Sequence, residues 1–146
     1  MKTFSLLAII IFLTSFTGWE TDFSAAQKKA FQSHKLILLN FSGSDWCGPC
    51  MRMRKEIFND SSFSKMADTS LVMVNADFPR KKKNELSAGM QKQNNMLADK
   101  YNPEGKFPYT VLINADGKLL KTWDGLPNEN AAIFTTVVKS ICNANK

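Results

Sequence analysis

Two cysteines separated by two residues, Cys47 and Cys50 in the run Trp46-Cys47-Gly48-Pro49-Cys50, are the side chains of this sequence best suited to chemistry. Thiolates at this spacing can cycle between dithiol and disulfide, or hold zinc, an iron–sulfur cluster or haem. A structural zinc site needs about four ligands, and the chain adds only Cys142 and a single histidine, His34, at no metal-like spacing. Haem attachment needs a histidine directly after the second cysteine, where Met51 stands. Neither a metal nor a cofactor is therefore expected. A purely structural disulfide is the other reading, although closing so short a loop stabilises a fold less than closing a long one.

The elements around the pair favour redox use. Leu36 to Phe41, written Leu-Ile-Leu-Leu-Asn-Phe, is a near-continuous apolar strand of the kind buried on both faces. After Ser42-Gly43-Ser44-Asp45 a helix begins around Cys47. Free N–H groups and the helix dipole favour an anion at that end. Such a position can lower a cysteine pKa from ~8.5 to roughly 3.5–7.5, so a reactive Cys47 thiolate is expected at neutral pH. Pro49 suits the first helical turn, which needs no donor there, and Gly48 is expected to let the backbone turn tightly. In the expected mechanism Cys47 attacks a partner disulfide and Cys50 resolves the mixed disulfide.

Periodicity and turn signals supply the remaining elements. A helix is expected over about Phe23 to Gln32, a further helical turn over Phe63 to Ala67, and a strand over Leu71 to Ala76. A polar helix follows from about Asn84 to Tyr101. Strands over Phe107 to Ile113 and Leu119 to Trp123 flank Asp116-Gly117, a strong hairpin signal, and the last helix spans about Glu129 to Cys142. Crossover helices early and a hairpin late imply an α/β fold with a central mixed sheet flanked by helices on both faces.

Trp46-Cys47-Gly48-Pro49-Cys50 between strand and helix, with Phe107-Pro108-Tyr109-Thr110 later, resembles the thioredoxin superfamily over most of the chain. Ser44-Asp45-Trp46 is similar to its secreted and periplasmic branch. The resemblance implies a thioredoxin-like fold in which Pro108 is cis beside Cys47. It also implies that the backbone of Phe107 pairs with bound substrate and that Trp46 offers partners an apolar surface; packing beneath the loop is the alternative for Trp46. Two positions depart from the pattern. Counting six residues back from Cys47 gives Phe41 where the family carries a buried acid, and Met73 falls where it carries a lysine. Asp45 reads as a turn residue rather than a substitute base. Phe107 before the proline is also unlike ordinary thioredoxins.

Lys2 followed by the apolar run from Phe4 to Leu13 reads as a signal peptide over residues 1–18, leaving one domain over residues 19–146. The run is shorter than the roughly 20 residues of a membrane span. An exported, periplasmic or secreted, monomeric protein is expected. The net charge of +6 draws on Arg80-Lys81-Lys82-Lys83, which lacks interleaved aromatics and so points to a solvated segment rather than to nucleic acid. Cys142 is expected to be a buried apolar residue of the last helix, His34 to lie at the surface, Met90 and Met96 to pack in the core, and Trp123 to belong to the scaffold.

Together these features describe a thiol–disulfide oxidoreductase that reduces or exchanges disulfides of exported proteins. Gly48-Pro49 resembles the reducing members, and a membrane dithiol is the expected electron donor. The alternative is a non-catalytic thioredoxin-fold module that binds peptides or proteins and keeps its cysteines as a structural disulfide.

Overall fold

The computed structural model describes residues 18–145. The expected leader therefore lies, apart from Gly18, outside the described residues. The elements run α1 (Phe23–Ser33), β1 (Leu36–Ser42), α2 (Gly48–Met53), a π-helical continuation (Arg54–Phe58), α3 (Ser61–Ser70), β2 (Leu71–Asp77), a 3-10 turn (Lys82–Asn84), α4 (Ala88–Tyr101), β3 (Tyr109–Ile113), β4 (Leu119–Asp124) and α5 (Ala131–Ala144). The sheet order is β2-β1-β3-β4. β1 pairs parallel with β2 and antiparallel with β3, and β3 pairs antiparallel with β4.

β1 is buried along its whole length because successive side chains enter two different cores. Leu36 and Leu38 join Leu112, Met53, Phe63, Phe134 and Cys142 on the face covered by α2, α3 and α5. Ile37, Leu39 and Phe41 join Val72, Val74, Val111, Ala26, Leu97 and Tyr101 on the face covered by α1 and α4. A mixed sheet with helices on both faces is what the alternation of elements implied. Before α1, Glu20 bridges to Val74 at the free edge of β2, and the Trp19 ring packs edge-on against Phe58 at 5.1 Å.

Local chemistry sets most boundaries. Asp22, Asp60, Ser87 and Asn130 cap α1, α3, α4 and α5 by accepting N–H groups of the first turn. α3 is a full helix rather than the single turn expected, since Asp60 starts it at Ser61. α4 begins four residues later than Asn84 because Lys82–Asn84 forms a separate 3-10 turn. β3 starts at Tyr109, since proline at 108 has no N–H for the ladder. In the β3–β4 turn, Gly117 adopts φ 86° as the hairpin signal required.

The packing of α4 departs from expectation. Its inward residues are Asn94, Leu97 and Tyr101, whereas Met90 is half-buried and Met96 is exposed. Asn94 takes the inward position because its Nδ2 donates to the Asp77 carbonyl at 2.9 Å, which turns the helix so that Met96 points outward. Cys142 lies in the core beside Phe134 and Val138, and His34 is exposed at the left-handed end of α1.

Candidate active site

Cys47 and Cys50 form a disulfide with a Cα–Cα distance of 5.3 Å, at the point where the loop after β1 becomes α2. Cys47 is the N-cap of α2, and its Sγ accepts the Cys50 N–H at 3.2 Å. This is the donor that would face a Cys47 thiolate after reduction, so the helix start stabilises the charge that thiol exchange needs. Pro49 occupies the first turn, as its missing donor allows. Gly48 is not needed for a tight turn: it is the first helical residue, and a Cβ there would meet nothing within 4 Å.

Gly43 is the glycine the loop requires. A Cβ on it would lie 2.2 Å from Cε2 of Trp46, so only glycine lets the indole fold back over the loop. Trp46 Nε1 then donates to the Phe78 carbonyl at 2.7 Å. The indole meets Phe107 edge-on at 5.4 Å, and Phe107 meets Phe78 in the same manner at 5.4 Å. Trp46 is half-buried, so it packs against the loop and keeps part of its ring exposed. Arg80 lies over its face, with the guanidinium carbon 3.6 Å from the ring centroid.

The Phe107–Pro108 bond is cis, in agreement with the resemblance. Two contacts that sequence reasoning missed hold this turn. The Pro108 carbonyl accepts the Gly125 N–H at 2.9 Å, which ties the expected scaffold turn Gly125-Leu126-Pro127 to the proline. Lys106 pairs with Asp124 at 2.7 Å and Glu104 at 2.9 Å, and these two carboxylates, Asp124 foremost, hold its ammonium protonated well above the usual lysine range. The signal for the first contact was a glycine just after a strand; Gly125 sits at φ 77°.

Beneath the cysteines the structure corrects the counting of the buried acid. Phe41 is fully buried on the opposite face of the sheet, 6.4 Å from the Tyr109 ring, because side chains alternate along a strand. Its neighbour Asn40 faces the cysteines. Asn40 Oδ1 accepts the Thr110 hydroxyl at 3.0 Å, and its Nδ2 donates to Asn75 Oδ1 at 3.2 Å, so a polar row crosses β3, β1 and β2 at matched register. Asn75 also accepts the Ser42 hydroxyl at 3.0 Å. Met73 packs against the apolar core on the same face, one pleat below Asn75. The position under the cysteines thus holds neutral amides, with no carboxylate–lysine pair. A small cavity of about 60 Å³, bordered by Cys50, Asn40, Ser42 and Asn75, separates them.

The nearby acids are committed to the loop. Asp77 accepts the N–H and hydroxyl of Ser44. Asp45 accepts the N–H groups of Arg80 and Lys81 and the Asn84 side chain, each at 2.9 Å. The Arg80 N–H and the Asn84 amide, more than the charge of Lys81, hold its carboxyl below the ordinary 3.8. Asp45 is a turn residue, as expected, and a poor base. Among the described residues no cluster of three or more metal-ligating side chains occurs. No helix there is long and apolar enough to cross a membrane.

Comparisons with known proteins agree with this geometry. The family model for a thioredoxin-like domain matches residues 23–140. The chain is 38% identical over 122 residues to disulfide bond reductase DsbH of Chlamydia pneumoniae, covering 84% of this chain and 70% of that protein. A solved DsbH oxidoreductase superposes with a TM-score of 0.78 at 35% identity, over 86% of this chain and 84% of the other. A thioredoxin from Thermus thermophilus shares the fold, with a TM-score of 0.62 at 14% identity over 83% of this chain and 84% of its own. A close cysteine pair at a helix start, a cis-proline turn and these relatives lead to one assignment: the chain belongs to the thioredoxin-like family, as a thiol–disulfide oxidoreductase.

Proposed function

We propose that the protein is an exported disulfide reductase in which Cys47 attacks and Cys50 resolves. The observation that carries this reading is the closed Cys47–Cys50 disulfide, with Cys47 capping α2 and the cis Phe107–Pro108 turn in the same fold. In the dithiol form, Cys47 thiolate attacks one sulfur of a partner disulfide. That bond breaks, a Cys47–partner disulfide forms, and the partner's other sulfur leaves as a thiolate that takes up a proton. Cys50, deprotonated, then attacks Cys47 and releases the second partner thiol. Two electrons pass to the partner, and the protein ends as the disulfide seen here. Trp46 and Phe107 give the partner an aromatic ledge, and the Phe107 backbone aligns it.

The leader over residues 1–18 supports export, and a relative named as a disulfide bond reductase supports the reducing direction. Regeneration then calls for a membrane dithiol donor, since the chain carries no nicotinamide or flavin motif. The protein acts as a monomer on disulfides of exported proteins. Reduction of insulin with dithiothreitol as electron source tests the activity. Turnover is expected in the wild type and its loss in Cys47→Ser.

One observation favours the alternative of a non-catalytic binding module: the two cysteines are only 4% and 5% exposed in the disulfide form. The potential decides between the readings. A value near about −270 mV, as in reducing thioredoxins, supports exchange, whereas one below about −300 mV with an inert Cys47 supports a structural bond.

A further inference from the structure

We propose that the turn Arg80-Lys81-Lys82-Lys83 is a recognition element that draws acidic, disulfide-bearing segments to the Cys47–Cys50 site. The inference rests on the exchange reading above and adds the class of substrate. A run of cations repels itself and is normally solvated and unfixed. Here it is fixed against the redox loop. Asp45, two residues before Cys47, accepts both the Arg80 and Lys81 N–H groups at 2.9 Å, and Lys82–Asn84 closes a 3-10 turn. Arg80 is stacked on Trp46, whose ring also meets Phe107 of the cis-proline turn.

All four cations are exposed, and no salt bridge among the described residues engages any of them. Arg80, Lys81 and Lys82 border a groove of about 420 Å³ whose far wall is the amide-rich side of α4, Gln91, Asn94 and Asn95, and Lys83 follows them in the turn. Two acids also line it. Asp77 is turned into the redox loop by Ser44, and Glu85 remains, so cations prevail over the groove. The exposed Asn95 amide suits the backbone of an extended segment, and the cations suit its carboxylates. Phe78 lines the groove and its carbonyl holds Trp46, the chain neighbour of Cys47, and this link to the redox loop favours a redox substrate over a membrane surface. Such a field raises encounter rates by about 10- to 1,000-fold and is screened beyond ~10 Å at ordinary salt.

The test uses two peptides with the same disulfide, one flanked by Asp and Glu, the other by Asn and Gln, reduced by the full chain with dithiothreitol as electron source. At low ionic strength the acidic peptide should show a kcat/KM about tenfold higher, falling towards parity in high salt. Lys82→Glu with Lys83→Glu should lower the acidic-to-neutral ratio about tenfold, and Lys82→Gln with Lys83→Gln should lower it less. The glutamine pair keeps the test open if charge reversal impairs folding. Equal rates on the two peptides, or a ratio unmoved by salt and by both variants, would overturn the inference. Binding to anionic vesicles that the variants abolish, with the peptide ratio unchanged, would assign the turn to membranes and also overturn it. Reduction of neither peptide would contradict the exchange reading itself and remove both.

Discussion

Gly43 bears directly on whether Trp46 can sit beside the cysteines. An added methyl group would occupy the indole's place, so Gly43→Ala should displace Trp46 and break its bond to the Phe78 carbonyl. The expected outcome is a shifted Trp46 indole N–H resonance and a kcat/KM for peptide disulfides lowered about tenfold, or ~1.4 kcal/mol of transition-state stabilisation. Thr110 offers a test on the sheet side. Thr110→Val keeps the shape and leaves Asn40 Oδ1 buried without its hydroxyl donor, so urea unfolding should show a loss of about 1–3 kcal/mol. At this scale the Cys47–Cys50 pair was legible because two thiols at that spacing are chemically distinct, whereas the cis bond at Pro108 followed only from the family resemblance. Asn40 was not legible, because the count back from Cys47 crosses the loop after β1, where one residue more or less moves the counted position to the other face of the strand. Phe41 and Asn40 differ by one residue and lie in opposite cores.

The elements that frame the site are joined by capping carboxylates. Asp45 pins the turn before α4 to the loop before α2, and its folded-state pKa lies below the ordinary 3.8. A carboxyl depressed in this way adds stability at a pH above its unfolded value, and that contribution is lost as the pH falls through the folded value. Hydrogen exchange at the Arg80 and Lys81 amides should therefore stay slow near neutrality and lose its added protection in acid below about pH 4, whereas Asp45→Ala should remove it at every pH. Element types read well from the sequence where one physical signal dominated: the apolar β1, the helix opened by Cys47 and Pro49, the Asp-Gly hairpin. They read poorly where polar side chains did structural work. Asn94 displaced Met96 from the inner face of α4, and Asp60 with its serines began a helix that hydrophobic periodicity showed only as a turn.

Across the whole molecule, two apolar layers on either side of one sheet hold the redox loop at the end of β1. Phe134 ties its layer together, with ring centroids 5.0 Å from Trp123, 5.8 Å from Phe63 and 6.3 Å from Phe58. Phe134→Ala should cost about 3–5 kcal/mol of stability, while exposed Met96→Ala should stay within about 0.5 kcal/mol, as thermal or urea unfolding would report. The mixed-sheet architecture was legible because strand order follows from crossover and hairpin lengths, whereas the tie from Pro108 to Gly125 joins residues that no local pattern links. The central claim is that Cys47 is the attacking thiol. Mass spectrometry of Cys50→Ser after reaction with a disulfide peptide tests it most directly. A single persistent adduct on Cys47 is the predicted result; no adduct with the Cys47 thiol open to alkylation, or an adduct on Cys142 instead, would contradict it.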